Sequence, residues 1–393
     1  MRQRRVVILG STGSIGTSAL KVAQDIPERM HIVGLAAATS VEALARQARE
    51  TGVKRLAIFD PSKADELKKL VDADVEIFTG EEGLCELART KDADMVLISI
   101  VGTAGLRPAL EAIRSSKDLA IASKEILVMA GEIVMNEARE AGVAVLPVDS
   151  EHNAIYQCLQ VDHQGPEQVS RVILTASGGP FRTWSAEQLK SVTIEQALKH
   201  PTWAMGRKIT VDSATLFNKG LEMIEAKWLF DLPMSKVDVI IQPQSIVHSM
   251  VEFVDGSIIA QMSESDMCFP IQYAVTWPDR VQNTLKPLNL AQLGQIVFEE
   301  PRYDDFPALN LARKAGEICG TMPAVFNAAN EIAVAAFFDG KIGFTDIWNV
   351  VARVMDEHES VNPQGKLEPI LEADQWARMR ACALCNRPAP CTH

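Results

Sequence analysis

The feature that most limits the possible folds is a regular alternation of short apolar runs with helical stretches through residues 1–148. The runs that we predict as strands lie at 6–9, 31–37, 55–59, 75–78, 95–100, 119–122 and 143–148. Strands that alternate with helices form parallel sheets with helices on both faces. The sequence therefore predicts an α/β fold whose N-terminal domain is a doubly wound, Rossmann-like parallel sheet.

A glycine-containing loop, GSTGSIG at residues 10–16, lies between the first strand and a helical stretch at 17–24. Glycines let the backbone approach a pyrophosphate, and the amides at a helix N-terminus meet its negative charge. The spacing is G-x-x-G-x-x-G, and Thr12 stands where the common fingerprint has its middle glycine. Because the loop follows a strand and opens a helix, it predicts a dinucleotide site.

An acidic stretch at residues 148–153 follows the last predicted strand of this domain. On an extended backbone Asp149 and Glu151 would point to the same side, where two carboxylates suit a hard divalent cation. Ser150 adds a hydroxyl, and His152 adds a group that titrates near neutral pH. The alternative is a polar loop followed by a helix cap. The place of the stretch favours function, because ligands of open α/β sheets bind at the carboxyl ends of the strands.

The pattern changes after residue 153 and predicts an α+β domain, with strands at 172–175, 208–211, 237–241, 246–254 and 257–262 and a helix at 213–230. Residues from about 281 hold several prolines and little periodicity, and helical spacing returns at 308. We therefore predict a cofactor domain (1–149), a catalytic α+β domain (150–280), a linker (281–307) and a C-terminal helical bundle (308–393).

The helix predicted at 213–230 carries a second group of polar residues. Asn218, Glu222 and Glu225 are spaced to share one face, and Lys219 is adjacent to it. Ser213, or Asp212 before it, is placed to cap the helix. Hydroxyl, amide and ammonium groups together suit a phosphate, and Glu222 offers a third carboxylate. The alternative is an ordinary amphipathic helix with solvated lysine and glutamate.

Composition excludes several classes of partner. A formal net charge of −12 argues against nucleic acid and anionic membrane surfaces. No apolar run approaches the ~20 residues that span a bilayer, and the N-terminus lacks the apolar core of a signal peptide, so we expect a cytoplasmic protein. Seven cysteines, an odd number, fit reduced thiols. A zinc site in the tail, formed by Cys382, Cys385, Cys391 and His393, is a weaker alternative.

These segments together resemble the 1-deoxy-D-xylulose 5-phosphate reductoisomerase family over essentially the whole chain. The most specific ones are the glycine loop at 10–16, PVDSEHNA at 147–154, SGGPF at 177–181, HPTW at 200–203, VDSAT at 211–215, NKGLE at 218–222 and PAVFNAANE at 323–331. The resemblance implies rearrangement of an acyclic keto-phosphosugar, most simply by retro-aldol cleavage and rejoining. NADPH then reduces the resulting aldehyde to 2-C-methyl-D-erythritol 4-phosphate, an isoprenoid precursor. It also implies a homodimer.

The resemblance assigns roles residue by residue. It implies that Asp149, Glu151 and Glu222 bind Mg²⁺, Mn²⁺ or Co²⁺, that Lys124 and Ser150 hold substrate oxygens, and that Trp203 belongs to a mobile flap. Without the resemblance, Trp203 is equally well a surface anchor packed on the core. The implied phosphate pocket consists of Ser177, Ser213, Asn218 and Lys219, with His200 and Ser245 beside it. The implied cofactor contacts are Gly10, Thr12, Gly13, Ser14, Ile15, Ala38, Thr39, Ser40, Ser123, Glu125 and Gly206.

The chain departs from the family pattern in two places. After the second strand the family usually has a basic residue that contacts the 2′-phosphate of NADPH, but here the run at 36–40 is AAATS. The run also lacks the acidic residue that would favour NAD, so we expect NADPH to be preferred by a reduced margin. The family usually has asparagine before the active-site lysine, where this chain has Ser123.

Two other functions compete with this assignment. A dehydrogenase that reduces a phosphorylated or semialdehyde substrate without rearrangement would need no site of three carboxylates. A nucleotide-sensing protein would keep the fold and lose catalytic groups, whereas every metal and phosphate position of the family is filled here. Turnover of the keto-phosphosugar with and without a divalent metal distinguishes the three.

Overall fold

The computed structural model of the chain describes residues 3–160, 166–203 and 205–387. The backbone divides into two compact units. The first comprises Met1–Ile126, Val134–Asn153 and Asp266–Pro287, and the second comprises Leu127–Ile133, Ala154–Ser265 and Leu288–His393. The domain boundaries expected from the sequence, at 149, 280 and 307, stay a prediction.

The first unit contains a seven-stranded sheet in the order β4-β3-β2-β1-β5-β6-β7, and all its strand pairs are parallel. The strand order reverses at β1, so the carboxyl ends of β1 and β5 meet at a topological switch point, where such sheets bind ligands. The predicted α/β fold class is confirmed. The strands are β1 (Arg4–Leu9), β2 (Met30–Ala37), β3 (Arg55–Ile58), β4 (Glu76–Thr79), β5 (Met95–Ile98), β6 (Asp118–Ile121) and β7 (Val145–Pro147).

The second unit contains a four-stranded sheet in the order β11-β10-β8-β9. β8 and β9 are parallel, and the other pairs are antiparallel. β11 is hydrogen-bonded along one side, to β10, and forms an edge of the sheet. The strands are β8 (Val169–Ala176), β9 (Val237–Ile241), β10 (Val247–Phe253) and β11 (Ile258–Met262).

Helices account for most of the remaining described residues. Short 3₁₀ helices occur at Pro61–Lys63, Thr103–Gly105, Pro166–Gln168 and Met234–Lys236. The α-helices are α1 (Ser14–Asp25), α2 (Val41–Thr51), α3 (Ala64–Lys68), α4 (Gly80–Ala88), α5 (Leu106–Arg114), α6 (Lys124–Ala141), α7 (Ser150–Leu159), α8 (Ala186–Leu189), α9 (Ile194–Ala197), α10 (Arg207–Ala214), α11 (Phe217–Leu229), α12 (Cys268–Thr276), α13 (Leu290–Leu293), α14 (Ala308–Ile318), α15 (Met322–Phe338), α16 (Asp346–Asp356) and α17 (Glu368–Leu384). None of the helices in the described part of the chain is both long enough and apolar enough to cross a membrane.

The helices of the second unit share one hydrophobic core with its sheet. Buried side chains of β8, α11, α14 and α15 belong to a continuous cluster. A Cβ on Gly220 of α11 would lie 2.9 Å from the Cβ of Ala312 in α14, so these two helices approach closely. The rings of Phe217 and Phe326, from α11 and α15, have centroids 5.3 Å apart. The C-terminal helices therefore pack directly against the helix that carries Asn218 and Lys219.

The structure corrects three sequence-based expectations about local conformation. Residues 208–211, predicted as a strand, lie in α10. The helix predicted at 213–230 is broken, because α10 ends at Ala214 and Leu216 has a left-handed φ of 63° before α11 begins. Ser213 therefore lies in the last turn of α10 and caps no helix. Residues 149–151 are not extended either, since α7 begins at Ser150.

Candidate active site

The carboxyl ends of β6 and β7 bring Lys124 and Asp149 together in the first unit. The two strands are neighbours, with Ile121 opposite Pro147. Lys124 opens α6 just after β6, Asp149 follows β7, and the ammonium of Lys124 contacts the carboxylate of Asp149. The lysine is buried, so the pair is shielded from solvent. The proximity of Lys124 and Asp149 therefore results from the adjacency of the two strands.

The acidic stretch is organised by the start of α7. The carbonyl of Asp149 accepts the first helical hydrogen bond from the amide of Asn153, at 2.8 Å. Ser150 Oγ donates to a carboxylate oxygen of Glu151 at 2.7 Å. Both carboxylates stand at the N-terminal end of a helix, where the macrodipole favours negative charge. Asp149 and Glu151 therefore lie at the start of a helix, and the prediction that they share one side of an extended strand is wrong.

Asn153 is a residue whose role the sequence analysis missed. Its side-chain amide is buried and donates to the carbonyls of Pro147, at 2.8 Å, and Pro270, at 3.2 Å. These bonds fasten the first turn of α7 to the end of β7 and to α12. Its position in the predicted acidic stretch was a signal, but its two acceptors cannot be read from spacing.

The glycine loop is built for close backbone approach at the switch point. Gly10 has a φ of 95°, and a Cβ there would lie 2.6 Å from the carbonyl oxygen of Ser99, which follows β5. A Cβ on Gly16 would collide with the backbone of Gly10 and Ser11. α1 begins after Gly13 without a side-chain cap and without an acidic residue in its first turn. Its first amides therefore suit an anion such as a pyrophosphate.

The residues expected near the 2′-phosphate lie exposed between β2 and α2. Ala38, Thr39 and Ser40 are all exposed, and Ser40 precedes α2 without a side-chain cap bond. The first turn of α2 contains Glu42, and the amide of Asp60 donates to the carbonyl of Ala38 at 3.0 Å. The run at 36–40 holds no acid to oppose the phosphate, but the structure places Glu42 and Asp60 next to it, which corrects the prediction made from the run alone.

A basic residue also lies close to these two acids. The side chain of Lys63 forms a 3.0 Å ion pair with Glu66. The hydrogen bond to Glu66 raises the pKa of Lys63, and the charges of Asp60 and Glu42 contribute to the same shift. Hydrogen bonds from Ser62 lower the pKa of Asp60, so this carboxylate is ionised at neutral pH. Charged groups of both signs therefore lie near the segment 38–40, although the run at 36–40 itself has none.

The remaining cofactor positions lie at two helix starts. Ser123 precedes α6, and its hydroxyl donates to the carbonyl of Ile100 at 2.6 Å, which ties the loop after β5 to β6. Glu125 is buried in the first turn of α6. Gly206 precedes α10 in the second unit and is exposed. Roles of these three residues in cofactor binding stay a prediction.

In the second unit, His200 connects the two serines of the predicted phosphate pocket. Its Nε2 lies 3.1 Å from Ser177 Oγ and 3.0 Å from Ser213 Oγ. Its Nδ1 accepts hydrogen bonds from the amides of Thr202, at 3.2 Å, and Trp203, at 2.9 Å. A nitrogen that accepts two N–H groups carries no proton, so the ring proton of this neutral tautomer is on Nε2 and faces the serines.

Two glycines bring the loop of Ser177 against α10. Gly178 and Gly179 have φ values of 80° and 65°. A Cβ on Gly179 would lie 2.9 Å from the carbonyl oxygen of Ser213 and from the Cα of Ala214. Only glycine allows this approach, and its consequence is that both serine hydroxyls reach one imidazole nitrogen.

The segment around Trp203 is held by hydrogen bonds on both sides. Besides its backbone bonds to His200, Thr202 Oγ1 lies 3.1 Å from Ser245 Oγ. The carbonyl of Ser245 accepts a 2.9 Å hydrogen bond from Ser265 Oγ. Trp203 itself is half-buried. Thr202 is a further residue whose contact the sequence analysis did not foresee.

The polar face of α11 forms as predicted. Asn218 Nδ2 donates to Glu222 Oε1 at 2.6 Å, and the ammonium of Lys219 contacts the other carboxylate oxygen of Glu222. Lys219 and Glu222 are 3% and 0% exposed, which excludes the alternative of a solvated amphipathic helix. Asn218 Oδ1 is buried and has no hydrogen-bond partner among the described residues. The array therefore holds a buried charge pair and an amide with unused hydrogen-bonding capacity.

The cysteines give little support to a zinc site in the tail. Cys382 and Cys385 are buried, and burial raises the pKa of Cys385 to about 11, whereas zinc binds the thiolate. Cys391 and His393 lie outside the described residues. Five of the described cysteines are free thiols, namely Cys85, Cys268, Cys319, Cys382 and Cys385.

Comparison with known proteins accounts for nearly the whole chain. The family profile described as 1-deoxy-D-xylulose 5-phosphate reductoisomerase matches residues 6–131, and two C-terminal domain profiles of the same enzyme match residues 145–230 and 262–380. A protein of that name from Pelodictyon phaeoclathratiforme is 51% identical over 379 residues, which cover 96% of this chain and 98% of the relative. This chain belongs to the 1-deoxy-D-xylulose 5-phosphate reductoisomerase family.

Other members of the reductoisomerase family agree with this assignment. The relative from Chlorobaculum tepidum is 52% identical over 375 residues, 95% of this chain and 97% of its own length. The Zymomonas mobilis reductoisomerase, solved in complex with NADPH, is 45% identical with a TM-score of 0.91, over 98% of this chain and 99% of that one. A DOX-P reductoisomerase solved with NADPH, fosmidomycin and magnesium is 40% identical with a TM-score of 0.92, over 98% of each chain. The resemblance seen in the sequence is confirmed.

Proposed function

We propose that this chain converts 1-deoxy-D-xylulose 5-phosphate to 2-C-methyl-D-erythritol 4-phosphate, with NADPH and a divalent metal as cofactors. The observation that carries the proposal is the buried array of Asn218, Lys219 and Glu222, which provides a cation, an amide and a carboxylate on one helix face. Full-length relatives at about half identity bear the name of this enzyme. Solved relatives hold NADPH and magnesium.

The phosphate of the substrate is bound, in this proposal, by Ser177, Ser213, Asn218 and Lys219. His200 presents its Nε2 proton toward both serines and so orients their hydroxyls. A phosphate dianion gains charge-assisted hydrogen bonds from such donors, and the ammonium of Lys219 balances its charge. Ser245, bonded to Thr202, closes the proposed pocket beside His200.

The carboxylates of Asp149, Glu151 and Glu222 are the proposed metal ligands. They fit the group, because Mg²⁺ and Mn²⁺ prefer oxygen donors. Asp149 and Glu222 each contact a lysine ammonium, and these contacts with a cation support the proposal. A divalent cation, when bound, supplies Lewis-acid stabilisation of negative charge that develops on the substrate. Lys124 and Ser150 would orient substrate oxygens beside it.

The first unit is the proposed site of NADPH, which supplies the hydride for the reduction. The uncapped start of α1, residues 12–15, would receive the pyrophosphate after the close turn at Gly10. The exposed segment 38–40 would meet the 2′-phosphate, and Ser123, Glu125 and Gly206 would lie near the rest of the cofactor. Trp203 is proposed to lie in a flap that excludes water from the substrate.

We also propose a homodimer in the cytoplasm. β11 is an edge strand, and two of the exposed apolar side chains near it are Val254 and Ile258, 68% and 52% exposed. An unpaired edge with apolar side chains favours pairing with another chain, here a second copy. The free thiols of Cys85, Cys268, Cys319, Cys382 and Cys385 favour a reducing compartment. Sedimentation velocity should show a dimer for the native chain and dissociation on Ile258→Lys; a monomeric native chain would reject the dimer.

Turnover by the purified chain tests the function. We expect oxidation of NADPH that requires both the keto-phosphosugar and a divalent cation, with the branched polyol phosphate identified by NMR. Activity that survives exhaustive chelation, or reduction without rearrangement of the carbon skeleton, would favour the simple dehydrogenase. Absence of turnover with tight NADPH binding would favour the nucleotide-sensing protein. Fosmidomycin, which a solved relative binds, should compete with the phosphosugar.

A further inference from the structure

A buried carboxylate lies directly behind the proposed phosphate pocket. Asp212 precedes Ser213 in α10, and its side chain is fully buried. Lys208, one turn earlier in the helix, places its Nζ 2.9 Å from Asp212 Oδ2. The side-chain amide of Asn330, in α15, donates to Asp212 Oδ1 at 2.8 Å. Both carboxylate oxygens of Asp212 therefore have partners, as burial of a charge requires.

These contacts control the orientation of Ser213. Successive residues of an α-helix are turned by about 100° around its axis, because one turn takes ~3.6 residues. The side chains of Asp212 and Ser213 therefore leave the helix in different directions at a constant angle. Holding the Asp212 side chain in place sets the direction of the Ser213 side chain. Asn330 clamps Asp212 from a helix 118 positions away in sequence, while Ser213 Oγ lies 3.0 Å from His200 Nε2. The helix is thereby held on its buried side, and its serine faces the imidazole.

We propose that Asn330 and Asp212 are positioning residues for phosphate recognition, and that neither touches the substrate. This inference rests on the proposed function, in which Ser213 contacts the phosphate. It also gives a purpose to the segment PAVFNAANE at 323–331, which the binding groups leave unexplained. In this arrangement the C-terminal helices do more than complete the core, because they set the angle of α10.

The chain offers a matched control for Asn330 on the same helix. Asn327 is equally buried in α15, and its side-chain amide donates to Glu331 Oε1 at 3.2 Å, within its own helix. Removing either amide takes one side-chain hydrogen bond from the same helix. We assign the positioning role to the hydrogen bond of Asn330, because only this one of the two bonds connects α15 to α10.

The experiment compares Asn330→Ala with Asn327→Ala in the full chain with NADPH and Mg²⁺. Displacement by about 1 Å of a group that binds substrate can cost up to about a hundredfold in rate. For Asn330→Ala we expect a KM for the phosphosugar raised by about tenfold or more, with kcat and the KM for NADPH nearly unchanged. Asn327→Ala should also lower the melting temperature, and it should leave all three constants unchanged. Equal effects of the two variants on the phosphosugar KM, or none, would overturn the inference.

An exchange of the two side chains provides a second test. Asn330→Asp alone places two carboxylates together and should raise the phosphosugar KM strongly. Combining it with Asp212→Asn restores an amide-to-carboxylate hydrogen bond with donor and acceptor exchanged, and the KM should fall back toward that of the native chain. A merely structural defect would show no such recovery, and failure to recover would count against positioning.

A more conservative variant covers the case in which the core changes prevent folding. Lys208 is partly exposed, so Lys208→Met opens no cavity in the core. It removes a cationic partner of the buried Asp212 carboxylate, which lowers stability, and it too should raise the phosphosugar KM. An unchanged KM in that variant would refute the clamp. Failure of the native chain to turn over the phosphosugar at all would instead reject the proposed function.

Discussion

Removal of the Lys219 ammonium is the most informative single perturbation, because two consequences can be measured separately. Lys219 and Glu222 form a buried pair on α11. In Lys219→Ala the carboxylate of Glu222 keeps its bond from Asn218 and loses its cationic partner. Breaking a buried ion pair from one side costs about 3–5 kcal/mol. The variant should therefore melt at a clearly lower temperature than the native chain.

The second consequence concerns substrate binding. A hydrogen bond to a charged group is worth roughly 1.5–3 kcal/mol, which corresponds to a rise in the KM for the phosphosugar of about 10- to 150-fold. An unphosphorylated substrate analogue should show little change. Equal losses on the phosphorylated and unphosphorylated substrates would refute the assignment of Lys219 to the phosphate.

Two further variants separate stability from recognition. Glu222→Gln added to Lys219→Ala removes both charges, so the melting temperature should recover part of the loss. Activity should fall further, because Glu222 is a proposed metal ligand. Lys227→Ala removes another lysine of α11, which donates to the carbonyl of Gly316 at 2.8 Å, and should leave the phosphosugar KM unchanged. The measurements are thermal melts and steady-state kinetics on the same preparations. A native-like melting temperature for Lys219→Ala would show that the charge pair is not the contact that stabilises α11.

Three other predictions concern the metal, the cofactor and the thiols. Asp149→Asn removes one anionic metal ligand. It should weaken Mn²⁺ affinity and activity by more than the roughly 10- to 100-fold that is typical for a residue hydrogen-bonded to a metal ligand. An unchanged Mn²⁺ affinity in a titration would reject the site. NADPH should be preferred over NADH by a reduced margin, given Glu42 and Asp60 nearby, and Thr39→Arg should widen it through the KM for NADPH; an NADH preference in the native chain would contradict this. Burial raises the pKa of Cys385 from 9.0 to about 11, so its folded form holds the proton more tightly than the unfolded form. The protonated thiol therefore contributes to stability below about pH 9, and this contribution is lost as the pH rises to about 11. Between these pH values the melting temperature of Cys385→Ala should decrease less than that of the native chain.

The sequence by itself determined the fold of the cofactor domain, because the patterns that predict this fold are local and repeated along the chain. Continuous apolar runs that alternate with helices have few solutions other than a parallel sheet, and the seven-stranded sheet confirms this. The glycine loop was equally readable, since Gly10 and Gly16 occupy positions where a Cβ would collide with backbone. The polar face of α11 followed from helical spacing, and its bonds between Asn218, Lys219 and Glu222 join residues three or four apart.

The tertiary structure alone decided the conformation of residues 208–211. Ile209, Thr210 and Val211 are β-branched and favour a strand when considered alone. They nevertheless lie in α10, whose inner side is buried and joined to Asn330 of α15 through Asp212. Differences in intrinsic propensity are about 1 kcal/mol or less per residue, so packing against a distant helix overrides them.

The same limit applies to the binding groups. The roles of the predicted binding residues stay a prediction, and their contacts in the structure depend on three-dimensional proximity. Asp149 and Glu151 meet through the start of a helix, and Ser177 reaches His200 because Gly179 lies against the backbone of α10. Hydrogen bonds between residues far apart in the chain leave no periodic trace in the sequence. Their geometry exists only once the core has brought the segments together.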